Sequence, residues 1–145
     1  MEPRLSIVTL GVADVAKARA FYEALGFKAS AASQDTITFM DAGGVVLALY
    51  NRAALAEDAH VPPTAPGFSG VTLAHNVRSE AEADAVLAHA EACGGKIMKP
   101  AQKVFWGGYS GYFSDPDGHL WEVAFNPFAA FDEAGRLVLP AAAGA

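Results

Sequence analysis

The sequence predicts an α+β fold of two βαβββ modules that form a curved mixed sheet around a concave pocket, with the helices outside. Three observations carry that expectation. A strand-then-helix pattern that opens near the N-terminus starts again near Val71. The two passes align at fixed points: Val12-Ala13-Asp14 matches Val77-Arg78-Ser79 at an offset of 65, and Asp41-Ala42-Gly43-Gly44 matches Asp115-Pro116-Asp117-Gly118 at an offset of 74. The second of these turns feeds a strand in which alternation puts Leu120, Glu122 and Ala124 on one face and Trp121, Val123 and Phe125 on the other.

Each element has a local reason. Residues from about Arg4 to Val12 alternate as a strand. Asp14 can cap a helix that runs to about Leu25, closes at Gly26 and turns Ala16, Ala20 and Phe21 inward. Strands follow at about Phe27 to Ala32, Thr36 to Met40 and Val45 to Tyr50, the last two joined through Gly43-Gly44. From about Ala53 to Phe68 the chain holds Pro62, Pro63 and Pro66, which suits an irregular linker. The second module begins with a strand at Val71 to Val77. Its helix is capped by Ser79 with Glu82 three residues on, the spacing of a capping box, and stops at Gly94-Gly95. Strands at about Lys96 to Ala101, Tyr109 to Ser114 and His119 to Phe125 complete it. In the last turn Pro116 fixes φ, Asp117 tolerates the next position and Gly118 supplies a positive φ. The whole chain, 1–145, is then one domain: module 1 at about 4–52, a linker at about 53–69, module 2 at about 70–126 and a tail at 127–145, loose from about Leu139.

Composition narrows the function classes. A chain of 145 residues can bury roughly two thirds of its unfolded surface in one core. The net charge of −6, with Lys and Arg scattered singly, argues against a nucleic-acid partner, which would need a basic stripe to neutralise phosphates. No apolar run approaches the ~20 residues that span a bilayer, and no signal-peptide pattern opens the chain, so no membrane partner is expected. A single cysteine, Cys93, forms no internal disulfide and fits a cytoplasmic protein in which it packs a helix end.

The candidate site follows from the strand faces. Two modules side by side would leave an inner concavity for a small ligand, with Thr9, Tyr50, Thr72, Tyr112 and Glu122 in or near it. Phe105-Trp106-Gly107-Gly108-Tyr109 joins two strands with aromatics on a glycine base. Trp106 and Tyr109 could close over a flat ligand there, or Trp106 could simply cap the rim. Glu122 is the acid to explain: it is either on a solvated strand face or has a partner. Its counterpart four residues past Gly44 is Ala48, so the carboxylate has no twin in the first module. The histidines show no metal-ligand spacing. His75 is out of phase with Thr72 and should face the helix, His89 is on a helix, His60 is in the linker and His119 begins a strand. Ser110 lacks the glycine two places on that a nucleophile elbow requires, Tyr112 standing there instead, and the nearby glycines match neither a dinucleotide nor a phosphate loop.

The repeat, the helix entry at Val12-Ala13-Asp14 with Phe21-Tyr22 and Leu25-Gly26-Phe27, and the ending Asp115-Pro116-Asp117-Gly118 with Glu122 together resemble the vicinal oxygen chelate superfamily over about Leu5 to Asn126. That superfamily includes glyoxalase I, fosfomycin and bleomycin resistance proteins and extradiol dioxygenases. The resemblance implies a metal ligand set on the first and fourth strands of each module, which lands here on Ile7, Ala48, Thr72 and Glu122. Only Glu122 is a good ligand for a divalent ion. No cofactor is therefore expected, and a divalent metal would require a different ligand set.

Two functional readings follow. In the first, a metal-independent pocket of the glyoxalase and bleomycin resistance type holds a small organic ligand against Trp106, Tyr109 and Tyr112, with Glu122 meeting a cationic or hydrogen-bond-donating group. In the second, the protein is a lyase, isomerase or transferase acting on a small carbonyl compound, with Glu122 as the catalytic acid or base, with or without a metal, and Tyr112 or Thr9 stabilising developing charge. Pairing of modules in the resembled family implies a homodimer, with Phe125, Phe128 and Phe131 near a contact.

Overall fold

The computed structural model describes residues 1–65 and 67–141. Pro66 of the expected linker and the last residues of the expected loose tail, 142–145, lie outside the described residues. The first module runs β1 (Ile7–Val12), α1 (Val15–Leu25), β2 (Ile37–Asp41), β3 (Val46–Asn51), then α2 (Arg52–Asp58). The second runs β4 (Leu73–Val77), α3 (Glu80–Ala92), β5 (Lys96–Lys103), β6 (Tyr109–Ser114), β7 (Leu120–Phe125), followed by a small hairpin of β8 (Ala130–Phe131) and β9 (Leu137–Val138). The sheets have the orders β1-β3-β2 and β4-β7-β6-β5. In each module the first strand lies parallel to the last and the remaining pairs are antiparallel. The α+β class and the two curved, unclosed sheets agree with the sequence reading.

Both long helices begin as their caps dictate. The Asp14 carboxylate accepts from the Lys17 amide at 3.0 Å, and Gly26 closes α1 at φ 118°. The Ser79 hydroxyl accepts from the Glu82 amide at 3.0 Å, while the Glu82 carboxylate reaches back to the Arg78 amide at 2.7 Å. The buried stripe of α1 is Ala18, Phe21 and Tyr22; the expected Ala16 and Ala20 are exposed. Their place on the core side is taken by Tyr22, whose hydroxyl finds a buried partner in the other module.

Three further expectations change. The strand expected from Phe27 to Ala32 is reduced to a single bridge between Ala29 and Met40. Small serine and alanine side chains hold the segment differently: the Ser33 hydroxyl, rather than a backbone carbonyl, receives the Phe39 amide at 2.9 Å. The linker begins as a helix, α2, because the Asn51 side chain accepts from the Ala53 and Ala54 amides at 3.0 and 3.1 Å and good helix formers follow before Pro62. The tail contains a hairpin, turned by Asp132, whose carboxylate accepts from the Ala134 and Arg136 amides at 2.9 and 2.8 Å.

Each long helix packs on the outer face of its own sheet. Leu10, Val12, Leu47, Leu49 and Met40 lie under α1, and Val77, Phe113 and Val123 lie by α3, all in one continuous core. Gly111 permits close packing in β6: a Cβ there would come within 2.7 Å of Leu87 of α3 and of the Lys99 and Ala101 backbone of bulged β5.

The two modules are joined through these outer faces. Tyr22 of α1 stacks obliquely with Trp121 of β7 at a centroid distance of 6.1 Å, and its hydroxyl donates to the buried Asp115 carboxylate at 2.7 Å. Asp115 also accepts from the Asp117 and His119 amides at 2.9 and 2.8 Å and pairs with the His119 ring at 2.7 Å. The Trp121 indole donates to the Tyr22 oxygen at 3.2 Å. The Ala13 amide donates to Asp117 at 2.8 Å, and the His89 ring bonds to the Ala24 carbonyl at 3.0 Å. With α1 shared between the outer faces of both sheets, the inner faces of Ala48 and Glu122 turn away from the common core.

Burial disfavours ionisation of Asp115, but the hydrogen bonds from His119 and Tyr22 outweigh it and hold its carboxyl below the usual range. The resulting stability is present above the unfolded pKa of about 3.9 and is lost as pH falls through the lower folded value. Asp115→Asn is expected to cost about 2–3 kcal/mol at neutral pH and to flatten the acid limb, read from urea midpoints across pH. Tyr22→Phe, which removes a donor to Asp115 and the acceptor of the Trp121 indole, is expected to cost about 1–3 kcal/mol in the same assay.

Candidate functional site

The inner face of module 2 is organised by cross-strand register. Ala74, Glu122, Tyr112 and Lys99 lie in one row across β4, β7, β6 and β5. Ala74 is exposed and the other three are half-buried. The Tyr112 phenol is pushed above its ordinary value first by burial and then by the adjacent Glu122 carboxylate. Among the described residues, Glu122 forms no ion pair with lysine or arginine. The row therefore presents a carboxylate without an ion-pair partner beside a protonated phenol that hydrogen-bonds it, with Ala74 exposed on its other side.

Module 1 offers a less polar inner face. Thr9, Ala48 and Phe39 form one row, and Gly11, Tyr50 and Ile37 the next. Thr9 is exposed, Tyr50 half-buried, and Ala48 fully covered. Tyr50 also lines a cavity of about 360 Å³ with Asp14, Asp35, Thr36 and Asn51. Thr72 is exposed just before β4, one pleat beyond Ala74. So Tyr112 and Glu122 are neighbours and Thr9 and Tyr50 share a face, and the two faces belong to separate sheets.

The aromatic loop divides. Tyr109 is on the helix-packed side of β6, opposite in phase to Tyr112, and its hydroxyl donates to Asp84 of α3 at 2.8 Å. That hydrogen bond, ahead of desolvation, raises its phenol pKa. Tyr109 thus does not join the Glu122 row. Trp106 folds back on its own turn, its ring so close to Gly108 that a Cβ there would lie 1.9 Å from it, while Phe105 is fully exposed. Phe39 and Lys99 were missed in the sequence. Alternation from buried Thr38 and Met40 would have found Phe39, whereas the bulge that sets the phase of Lys99 leaves no sequence mark.

The donor chemistry does not fit a divalent metal. Of Ile7, Ala48, Thr72 and Glu122, the first two have no lone pair and the third is a weak neutral donor. The histidines do not compensate: His119 is committed to Asp115, His89 to Ala24, and His75 lies opposite Val123 on the outer face. Among the described residues, no three His, Cys, Asp or Glu side chains are grouped to hold an ion. No described helix is long and apolar enough to cross a membrane.

Comparison with known proteins places this arrangement. The model of the Glyoxalase/Bleomycin resistance protein/Dioxygenase superfamily matches residues 4–123. Among solved structures, a glyoxalase-related enzyme from Fulvimarina pelagi is 36% identical, with 96% of this chain and 99% of that chain covered and a TM-score of 0.87. A glyoxalase/bleomycin resistance protein/dioxygenase from Nocardioides is 26% identical, covering 86% and 84%, with a TM-score of 0.70. Lactoylglutathione lyase from Agrobacterium tumefaciens, 23% identical over 86% and 95% with a TM-score of 0.64, shares the fold. No curated protein matches the chain. With its paired modules and a family match that spans both, the chain belongs to the glyoxalase/bleomycin resistance protein/dioxygenase superfamily.

Proposed function

We propose that the protein is a metal-independent small-molecule-binding member of this superfamily, whose pocket forms when the Glu122 face of one chain meets the Thr9 and Tyr50 face of a second. The supporting observation is the unpaired Glu122 carboxylate beside Tyr112 on a face turned away from the core, where three of the four family ligand positions lack a strong donor. An exposed apolar side chain agrees with a covered inner face: Ile7, in phase with Thr9, is 48% exposed. The ligand carries a cationic or hydrogen-bond-donating group for Glu122, seated over Ala74, and an apolar or aromatic body for Tyr112, Tyr50 and Phe39. Trp106 stands at the rim.

A catalytic reading is favoured by one observation, the description of the 36% identical relative as a glyoxalase-related enzyme. Here Glu122 would take a proton from carbon beside a carbonyl group, and Tyr112, held protonated, would donate a hydrogen bond to the oxygen on which charge develops. Turnover of small carbonyl compounds that survives Glu122→Gln unchanged would eliminate this second reading.

Two measurements test the binding reading. Cationic aromatic compounds are expected to raise the melting temperature of the metal-stripped protein, and Glu122→Gln to weaken the tightest of them about tenfold. Equal affinity for the variant would remove Glu122 from the site. Sedimentation is expected to show a dimer that Ile7→Glu dissociates; a monomeric wild-type protein that still binds would refute the two-chain pocket.

Electrostatics gives an independent check. Because burial and the Glu122 charge raise the Tyr112 pKa, its neutral form stabilises the fold below the unfolded value of about 10, and that contribution is lost as pH rises beyond it. In ultraviolet difference titration, the transition absent from Tyr112→Phe is expected at higher pH than a free tyrosine and closer to it in Glu122→Gln.

A further inference from the structure

A second recess lies on the other side of both sheets. Where α1 and α3 stop short of filling the space between the outer faces, a cleft of about 980 Å³ remains. Its walls are Val8 and Leu47 from module 1 and Leu73, Phe113 and Trp121 from module 2. These side chains have the opposite strand phase from Ala48 and Glu122, and the cleft meets the inner-face row only at its edge, where Ala74 lines it while Glu122 and Tyr112 do not.

The C-terminal hairpin forms one wall, through Phe131 and Leu137. It is tied to module 2 by the Arg78 guanidinium, 5.0 Å from the centre of the Phe131 ring. On the other side, the Arg136 side chain would lie 3.7 Å from a Cβ at Gly44, in the β2–β3 turn of module 1. The hairpin thus straps across the cleft between the modules.

Charge distinguishes this recess from the rest of an acidic chain. Lys28, Arg136, His75 and His89 line it, against a single acid, Asp41. One Asp41 oxygen already receives the Gly43 and Gly44 amides at 3.0 and 3.5 Å. Arg136 is held through Nε by Asp132 at 2.9 Å, whereas Lys28 forms no ion pair among the described residues. An apolar interior with a basic margin is complementary to an amphipathic anion.

We propose that the inter-module cleft is a second ligand site, which takes an amphipathic carboxylate: an aliphatic or flat aromatic body among Val8, Leu73 and Trp121, with its anionic end at Lys28. This site does not depend on the inner-face reading, and its occupancy would brace the hairpin across both modules.

The test uses Trp121 as the reporter. The chain has two tryptophans, so Trp106→Phe leaves only the one in the cleft. Dodecanoate, below its micelle concentration, is expected to shift Trp121 emission saturably at one equivalent per chain, displace anilinonaphthalene sulfonate and raise the melting temperature. Lys28→Glu, an exposed substitution that should leave folding intact, is expected to weaken dodecanoate about tenfold, while Glu122→Gln leaves it unchanged. Absence of a saturable shift, equal binding of dodecylammonium, or indifference to Lys28→Glu would each overturn the proposal. Loss of binding in Glu122→Gln would overturn it too, by assigning the ligand to the inner face.

Discussion

The arrangement depends on one buried carboxylate. Asp115 starts the tight turn that launches β7, and it accepts hydrogen bonds from within that turn and from Tyr22 in the other module. A buried carboxylate without such donors would be strongly unfavourable. The position is tolerated only when α1 delivers Tyr22 to it, and burial in turn drives the Tyr22 phenol above its ordinary pKa, so it remains a donor. The Trp121 indole completes the set by donating to the same phenolic oxygen.

That contact determines what the inner faces can do. Because α1 packs toward the outer faces, the inner faces stay open at Thr9 and Ala74, although Ala48 and Ala124 are buried. In the proposed two-chain reading Glu122 is then a charge awaiting a partner face, beside a phenol that stays protonated. The same geometry leaves the cleft between the outer faces, and the hairpin wraps this join rather than the inner surface. The same packing therefore leaves an acidic group on the inner face and a basic margin at the cleft between the outer faces.

Much of the local structure was legible because it rests on short-range chemistry. Asp14, Gly26 and Ser79 act where capping requires them, and alternation correctly separated Glu122 from Trp121. The internal repeat located both modules. What escaped the sequence were relations between distant residues. Nothing local says that Ser33 will replace a ladder partner for Phe39, or that the Tyr109 hydroxyl will reach Asp84; the opposite facing of Tyr109 and Tyr112, three residues apart in one strand, follows from alternation. Most consequential was Tyr22: its neighbours suggest ordinary helix packing, yet its hydroxyl joins positions 93 residues apart. Periodicity gives each sheet an inside and an outside, but not which outsides meet.

The most direct test is a crystal structure of the protein as purified from cells, with metal analysis of the same sample. Two chains are expected, with the Thr9 and Tyr50 face of one set over the Glu122 and Tyr112 row of the other, organic density between them and no stoichiometric metal. A metal ion coordinated by Glu122, or a single chain whose own Ala48 and Glu122 faces enclose one pocket, would contradict it.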